Sequence, residues 1–476
     1  MRSPAAPHGG ECKSATRGGN GEHLSRHYRL RKRGGTAYRQ RRSRPVIGRV
    51  KSLLRSRTVQ VVGLLGIQAV LAAAFAVLTA RWLGPDDRGV IVIVTTLGSL
   101  LMLVGSFGAA TGGRMLLSQE APDYSARRHR EVTQRLAGVH LLTMVVVGWP
   151  LLAVANAWRG WLVAGVFALY GVSMVAIYLL REALHGVGLH SRATFGDVFM
   201  NAVLLAGLLA TQIVFKVTVL SVTWLLFLAA AAEVGFLVFH LVRVPSARET
   251  AHHRSMRALL LLSAPALLAS LGQAFTIRGD RLVLGVLSDS HAVGIYGTAA
   301  TFAEIMWLIP MGVGQIIFRH AAQGRYEHIK RLQTATLLCM AVVGVIAAAL
   351  AKPAVAALLG PDYADSVPLI WLLLAASLPM GVYHLHAPML NGAGDLRGPA
   401  IAGGLSSAVL LILCVTTIHA WGAYGAAIAS FAAYSIMAAV TVVRSRALRS
   451  TSANTKLQAP LGPSNGHRRD AGKDDQ

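Results

Sequence analysis

The stretch VQVVGLLGIQAVLAAAFAVLTARWLGPDDRGVIVIVTTLGSLLMLVGSFGAA, residues 59–110, decides the fold class. Two apolar runs, residues 59–80 and 89–110, flank a short polar segment. Each run is about twenty residues long, and as an α-helix rising 1.5 Å per residue it would cross the ~30 Å hydrocarbon core of a bilayer. The pair therefore predicts a transmembrane hairpin.

The same pattern recurs along the chain, of which 54% is hydrophobic and only 14% is charged. About twelve apolar runs are present, at residues 59–80, 89–110, 136–154, 161–180, 198–215, 217–241, 264–287, 292–318, 332–351, 366–390, 399–418 and 423–443. This composition is typical of a protein whose solvent is lipid. The sequence predicts an all-α integral membrane protein of about twelve transmembrane helices.

The basic residues predict the orientation of these helices. Of the 46 Lys and Arg residues, sixteen lie in one set of alternate loops and only seven lie in the opposite set. Loops rich in Lys and Arg stay on the cytoplasmic side. We therefore expect a multi-pass protein of the bacterial cytoplasmic membrane with both termini in the cytoplasm. The net charge of +25 then reflects topology and contact with anionic lipid headgroups, and a specific nucleic-acid partner is not expected.

Five regions follow from these patterns. Residues 1–57 carry 16 Lys or Arg and are predicted to form a disordered basic cytoplasmic arm, without the features of a signal peptide. Residues 58–243 form a first six-helix bundle, residues 244–258 a cytoplasmic linker, and residues 259–443 a second six-helix bundle. Residues 444–476 are predicted to be a disordered cytoplasmic tail.

An internal repeat relates the two predicted bundles. At an offset of 205 residues, Gln68 matches Gln273, Gly89 matches Gly294, and Arg114 matches Arg319. At an offset of 206, the segment LHGVG at 184–188 matches LNGAG at 390–394. Because six helices separate equivalent positions, the halves share one orientation and are expected to be related by an axis along the membrane normal, with a cavity between them. The fold class is therefore two pseudo-symmetric six-helix bundles.

Four charged residues fall inside predicted spans of the second half. Arg278, Asp280 and Arg281 lie in the seventh span, and Glu304 lies in the eighth. A charge near a helix centre costs ~2.5–3.5 kcal/mol on insertion scales, so each one needs a partner, water or a function. Either the two acids and two bases neutralise one another and fix the register of a helix hairpin, or some contact an anionic headgroup or carry a coupling proton.

Other polar residues also have two interpretations. Gln68 and Gln273 could bind sugar hydroxyls or form interhelical hydrogen bonds. Arg114 and Arg319 lie at cytoplasmic helix ends, where snorkelling explains them, although their equivalence favours a gate or a headgroup contact. Glu233 has no obvious cation nearby and is expected to be a buried, protonated carboxyl.

Nothing in the sequence predicts an enzyme or a cofactor. Cys12, Cys339 and Cys414 are too dispersed for a disulfide framework or a metal site. His384 and His386 are two residues apart and point in different directions on a helix, so they do not form a metal pair. No nucleophile constellation or nucleotide-binding loop is present, and neither a catalytic residue nor a metal is expected.

Several short motifs resemble those of polysaccharide-export flippases of the multidrug/oligosaccharidyl-lipid/polysaccharide exporter superfamily, which act in lipopolysaccharide biosynthesis. The stretch ARWLGPDDRG at 80–89 resembles their first hairpin, and GDRLVLG at 279–285 followed by AVGIY at 292–296 is similar to a later one. LGPDY at 359–363 and LNGAG at 390–394 resemble two further segments. The likeness extends over about residues 59–443.

This resemblance implies a V-shaped, MATE-like pair of bundles. It implies alternating-access flipping of an undecaprenyl-pyrophosphate-linked oligosaccharide, coupled to a cation gradient, with a glycan polymerase and glycosyltransferases as partners. Many relatives have fourteen helices, two more than the sequence predicts here. Two alternatives remain: a cation-coupled multidrug exporter, and a membrane scaffold of a glycan assembly complex that transports nothing.

Overall fold

The apolar runs of the sequence are α-helices in the structure, a computed structural model that describes residues 57–119, 121, 123–244, 255–327 and 329–458. Within these residues there is no β-strand. A helix satisfies its own backbone hydrogen bonds in hydrocarbon, whereas the edges of an open sheet are left unpaired. The prediction of an all-α membrane protein is confirmed.

Seven helices form the first half of the described chain. They are α1 (Arg57–Ser106), α2 (Ala109–Ser118), α3 (Ala126–Thr143), α4 (Trp149–Val154), α5 (Trp161–Gly186), α6 (His190–Val214) and α7 (Val219–Val242). A π-helical segment, Met144–Gly148, joins α3 to α4 just before Pro150, so these two helices cross as one span.

The second half repeats this order. Its helices are α8 (Met256–Leu287), α9 (Ser290–Glu304), α10 (Leu308–Ala322), α11 (Ile329–Leu358), α12 (Ser366–Gly392), α13 (Arg397–Trp421) and α14 (Ala423–Gln458). A single 3₁₀ turn, Ile305–Trp307, joins α9 to α10, and another, Pro361–Tyr363, precedes α12.

Eleven helical segments in the described part of the chain are long and apolar enough to cross a membrane. The first of them, Gly63–Ser106, has 44 residues, enough for about 66 Å of helix and thus for two crossings of a ~30 Å core. The backbone leaves the helical conformation at Gly84 (φ 75°, ψ 172°), directly before Pro85. The helix α1 therefore holds two of the predicted spans, and all twelve are present in a multi-pass membrane protein.

The central helix of each half has the same neighbours. In the first half α5 packs against α2, α3, α6 and α7. In the second half α12, the equivalent of α5, packs against α9, α10, α11, α13 and α14. This repeated pattern of contacts is what two related six-helix bundles require.

The predicted region boundaries differ from the helix ends in two places. The helix α8 begins at Met256, inside the predicted linker, and α14 continues to Gln458, into the segment predicted to be a disordered tail. Residues 444–458 contain neither Gly nor Pro, and the first helix breaker that follows is Pro460. Residues 1–56, most of the linker and residues 459–476 lie outside the described residues. The described residues from Val61 onward form one compact unit.

Candidate functional site

The two halves meet backbone to backbone at Gly89 and Gly294, the pair matched by the repeat. A Cβ atom on Gly89 would overlap the carbonyl oxygen of Ser290, and one on Gly294 would overlap the carbonyl oxygen of Pro85. Pro85 and Ser290 are also 205 residues apart, so the contact is reciprocal, as it is at a twofold axis. The pseudo-symmetry predicted from the repeat is present in the structure.

Hydrogen bonds surround this crossing. The Tyr363 hydroxyl donates to the Ala80 carbonyl oxygen at 3.0 Å, and the Asn156 amide donates to the carbonyl oxygens of Gly285 and Ser288 at 3.0 and 2.8 Å. In each case one half reaches over the hairpin of the other. We call these contacts, among residues 80–89, 156–159, 285–294 and 357–363, the outer seam, because they involve the loops predicted to face outward.

Charged side chains add weaker contacts to the outer seam. His291 lies 3.4 Å from Asp86, its equivalent in the repeat, and Arg159 lies 3.9 Å from Asp87. These groups are between a third and two thirds exposed, and exposed pairs contribute at most about 1 kcal/mol each. The backbone crossing and the hydrogen bonds of Tyr363 and Asn156 are therefore the main contacts of the seam.

At the opposite ends of the helices the two halves are also in contact. The helix α2 packs against α8, where Gly108 and Gly112 lie so close to Ser263 that neither could carry a Cβ without displacing it. Apolar side chains are exposed near the start of both α1 and α8, with Val70 69% and Leu268 72% exposed.

Three of the four charged residues predicted as a site come together inside the second half. The Asp280 carboxylate accepts hydrogen bonds from the Tyr296 hydroxyl and, at 2.9 Å, from the Ser430 hydroxyl. The backbone N–H of Arg281 also donates to Asp280, at 2.8 Å. These partners come from α8, α9 and α14, so Asp280 ties three helices of one bundle together.

The Arg281 side chain forms an ion pair with Glu304 across the α8 and α9 hairpin. A cavity of about 10 Å³, which is about the size that admits one water, adjoins this pair and is lined also by Trp307 and Tyr434. It is far too small for a sugar. In this conformation Arg281 and Glu304 neutralise each other, whereas Asp280 is held by hydrogen bonds alone. The predicted alternative of two acids and two bases that pair with one another is therefore met only by Arg281 and Glu304.

Arg278 stands apart from that group. Its side chain is half-buried and makes neither a hydrogen bond nor an ion pair with any described residue. Arg278 lies seven residues after Leu271 and four before Leu282, so by helical periodicity all three share one face of α8. Arg278 thus lies within a membrane-spanning segment without an ion pair to any residue that the structure describes.

That face of α8 lines an apolar cavity of about 370 Å³ between the two halves. The first half contributes Leu97, Leu101, Val104 and Leu151, and the second half contributes Leu271, Gly272, Phe275 and Leu282. Leu97 lies about 12 Å and Val104 about 22 Å from the outer end of the second span, counted at 1.5 Å per residue from Gly89. The cavity therefore lies near the middle of the bilayer.

The other predicted site residues lie away from this cluster. Gln68 and Gln273 are half-buried, and neither side chain hydrogen-bonds to a described residue. Arg114 pairs with Glu182 of α5 at 2.9 Å, whereas its equivalent Arg319 is exposed and has no described ion-pair partner. The two arginines are equivalent in sequence but not in their contacts.

The sequence interpretation missed a second charged group, in the first half. Arg181 of α5 pairs with Asp197 of α6 at 2.6 Å, and the fully buried Glu233 of α7 lies behind this pair. Arg181 falls just outside the predicted span at residues 161–180, so the sequence places it in a loop. Arg88, also counted as a loop residue, is buried and donates to the Thr79 hydroxyl at 3.0 Å. Among the described residues, no three His, Cys, Asp or Glu side chains are placed to hold a metal ion.

No protein-family model and no curated protein sequence matches the chain. Solved structures do match it. The lipid II flippase MurJ, in an inward closed conformation, superposes with a TM-score of 0.67 at 13% identity, over 84% of this chain and 91% of that one. An inward-facing multidrug resistance MATE family transporter of the MOP superfamily superposes with a TM-score of 0.61 at 14% identity, over 82% of this chain and 96% of that one.

An outward-facing MATE family transporter of the MOP superfamily matches with a TM-score of 0.53 at 14% identity, over 84% of this chain and 95% of that one. The chain therefore has the two-bundle fold that MurJ and MATE transporters share. The MATE-like fold predicted from the sequence is confirmed.

Proposed function

We propose that the protein translocates a lipid-linked oligosaccharide across the bacterial cytoplasmic membrane by alternating access, for the synthesis of cell-surface polysaccharide. The substrate carries an anionic pyrophosphate between a hydrocarbon tail and a sugar. A site for such a molecule needs a cation, an apolar cavity and access from the lipid.

The observation that carries the proposal is that Arg278, which makes no ion pair with any described residue, shares a helical face of α8 with the cavity-lining Leu271 and Leu282, although its own side chain does not line the cavity. A guanidinium is a planar fork that binds phosphate oxygens, and in hydrocarbon it is strongly favoured to find an anion. Hydrocarbon next to an unpaired cation is the environment that an anionic lipid headgroup and its tail require. Gln68 and Gln273, whose amides are not used by described side chains, are the proposed contacts for sugar hydroxyls.

The closed outer seam supports alternating access, because such a carrier is closed on one side of the membrane at a time. Of the matched structures, MurJ is in an inward closed conformation and superposes with a TM-score of 0.67, and the inward-facing MATE transporter superposes with 0.61. We propose that this conformation accepts substrate from the cytoplasmic leaflet, with both termini cytoplasmic, and that Arg114 and Arg319 guard that entrance.

Two other functions make different predictions. A multidrug exporter that binds cationic drugs is disfavoured by an unpaired arginine beside the cavity, because the like charges repel. A scaffold that only holds a glycan polymerase or glycosyltransferases would need no such cation. We propose these enzymes as partners of a transporter and not as its whole role.

The test is translocation of a fluorescent polyprenyl-pyrophosphate oligosaccharide in proteoliposomes that contain the purified protein. Arg278→Gln should reduce translocation at least tenfold, and Arg278→Lys should retain part of it because the charge remains. The matched control is Arg192→Gln, which removes an exposed arginine from the end of α6. Translocation at the wild-type rate by Arg278→Gln, at equal protein abundance, would refute this role of the cavity.

A further inference from the structure

Glu233 is a carboxyl group buried without a hydrogen bond. Its side chain is 0% exposed, and neither carboxyl oxygen has a hydrogen-bond partner among the described residues. The carboxyl occupies a notch in α6 at Gly196, where a Cβ atom would lie only 3.1 Å from the Glu233 Oε1 atom. Because Gly196 has no side chain, the Glu233 carboxyl can pack against the backbone of α6 at this position.

The charged neighbours of Glu233 come from the two helices that pack most closely on α7. Asp197 of α6 follows Gly196 directly, and Arg181 of α5 pairs with it at 2.6 Å. Both groups act electrostatically on Glu233, and the field of Glu233 also reaches Tyr170 of α5. The helix α3 also touches α7 but places no charged side chain near Glu233 in the described part of the chain.

This group lies in the inner part of the membrane. Glu233 is nine residues before the end of α7 at Val242, or about 14 Å at 1.5 Å per residue. Asp197 is seven residues, or about 10 Å, after the start of α6 at His190. The side chains of Arg181 and Asp197 are 25% and 16% exposed, so the ion pair lies between Glu233 and water.

An ionised carboxylate in these surroundings would lack both water and a donor, which is costly by several kcal/mol. One guanidinium can relieve that cost by turning from Asp197 to Glu233. Asp197 tolerates the loss of its partner better than Glu233 tolerates ionisation alone, because Asp197 is partly exposed. The arrangement therefore admits two ways of pairing Arg181, which differ by one proton on Glu233.

We propose that Glu233 is a proton-binding site that exchanges its proton for the ion pair with Arg181. In the conformation seen here the Glu233 carboxyl holds the proton and Arg181 pairs with Asp197. On rearrangement the proton leaves to water along Asp197, and Arg181 pairs with the Glu233 carboxylate. The site belongs to the first half alone, since the positions that match Arg181 and Asp197 at the offset of 206 are Ala387 and Gly403.

A role of Glu233 in coupling protons to transport rests on the proposed function. The proton site itself can be tested without substrate. Infrared spectroscopy of the purified protein at neutral pH should show the carbonyl stretch of a buried protonated carboxyl. Glu233→Gln should abolish that band. Asp280→Asn, at the other buried carboxyl, should leave it, because Asp280 already accepts three hydrogen bonds.

A second variant tests the exchange itself. Asp197→Asn deprives Arg181 of its partner, so Arg181 should turn to Glu233 and the protonated-carboxyl band should be lost although Glu233 is intact. A band that persists in Glu233→Gln overturns the proposal, and one that persists in Asp197→Asn overturns the exchange. If both variants behave as expected while translocation assays fail, the proposed substrate is wrong and the proton site stands.

Discussion

The Tyr363 hydroxyl donates to the Ala80 carbonyl oxygen at 3.0 Å, although 283 residues separate the two. Tyr363 belongs to the second half and ends the 3₁₀ turn before α12, whereas Ala80 lies in the first span of α1. Tyr363 is 1% exposed, so the hydrogen bond is shielded from water. This single side chain links the two halves at the outer seam.

Replacement of Tyr363 by Phe should loosen the seam. A buried hydrogen bond contributes about 1 kcal/mol net, which corresponds to a roughly fivefold shift toward the open seam. Distances between spin labels placed across residues 81–88 and 357–363 would measure the shift. Tyr424→Phe, at an exposed position, is the matched control and should change nothing.

The same contact should be insensitive to pH over the ordinary range. Burial raises the pKa of the Tyr363 hydroxyl above its usual value of about 10. A raised pKa in the folded protein means that the contribution is complete below about pH 10 and is lost only as the pH rises further. A change between pH 6 and pH 9 in the spin-label distances across the outer seam of the wild-type protein would contradict this prediction.

Gly89→Ala and Gly294→Ala should each force the two halves apart. The added methyl group would overlap backbone of the opposite half, and overpacking of this kind costs about 1–3 kcal/mol. We expect the ratio of closed-seam to open-seam molecules to fall about five- to hundredfold. Cross-linking of cysteines placed on either side of the seam would measure this ratio. Gly165→Ala, where a methyl group meets open space on α5, should cross-link like the wild type.

Glu304→Gln should destabilise the protein, because it leaves the Arg281 guanidinium buried without its anion. Breaking a buried ion pair on one side costs about 3–5 kcal/mol, whereas replacing both partners by apolar groups is often neutral. The unfolding temperature measured in detergent should therefore fall by several degrees in Glu304→Gln. It should return toward the wild-type value in the double variant Arg281→Met/Glu304→Met. An unchanged unfolding temperature in Glu304→Gln would mean that the pair does not stabilise the bundle.

Arg114→Gln should affect stability little, since the pair with Glu182 is half exposed on the arginine side. Pairs of this kind contribute about 0–1 kcal/mol. If Arg114 guards the entrance, the same variant should lower the translocation rate without changing the unfolding temperature. If the translocation rate and the unfolding temperature both fell, Arg114 would be a residue that stabilises the fold and not a gate.

Much of the fold could be predicted from the sequence because hydrocarbon imposes one length and one type of element on every span. The twelve spans and the repeat at offset 205 needed only apolar run lengths and three matched pairs of residues, one each of Gln, Gly and Arg. The break between the first two spans, at Gly84, also falls in the polar segment that separates the two predicted apolar runs. By contrast, the extension of α14 to Gln458 depends on the absence of a helix breaker, which hydropathy does not register.

The site was less predictable because partners from distant spans decide the role of each charge. Asp280, Arg281 and Glu304 could be located at membrane depth, but Tyr296 and Ser430, which bind Asp280, carry no charge to mark them. The quoted motifs did contain the contact residues. Gly89, Gly294, Tyr296 and Tyr363 all come from them, and each joins helices in the structure.

The guanidinium of Arg278 has a further consequence. Because Arg281 is paired with Glu304, Arg278 is a net elementary charge inside an electric field whenever Asp280, two residues away, is protonated. Moving one elementary charge across the whole membrane against a potential of 100 mV changes its energy by about 2.3 kcal/mol. A charge that crosses only part of the membrane contributes a proportional share. If the halves carry Arg278 through part of the bilayer as they rock, the empty carrier senses the membrane voltage. A bound pyrophosphate would cancel or reverse that charge, so voltage would drive the loaded and the empty carrier in opposite directions.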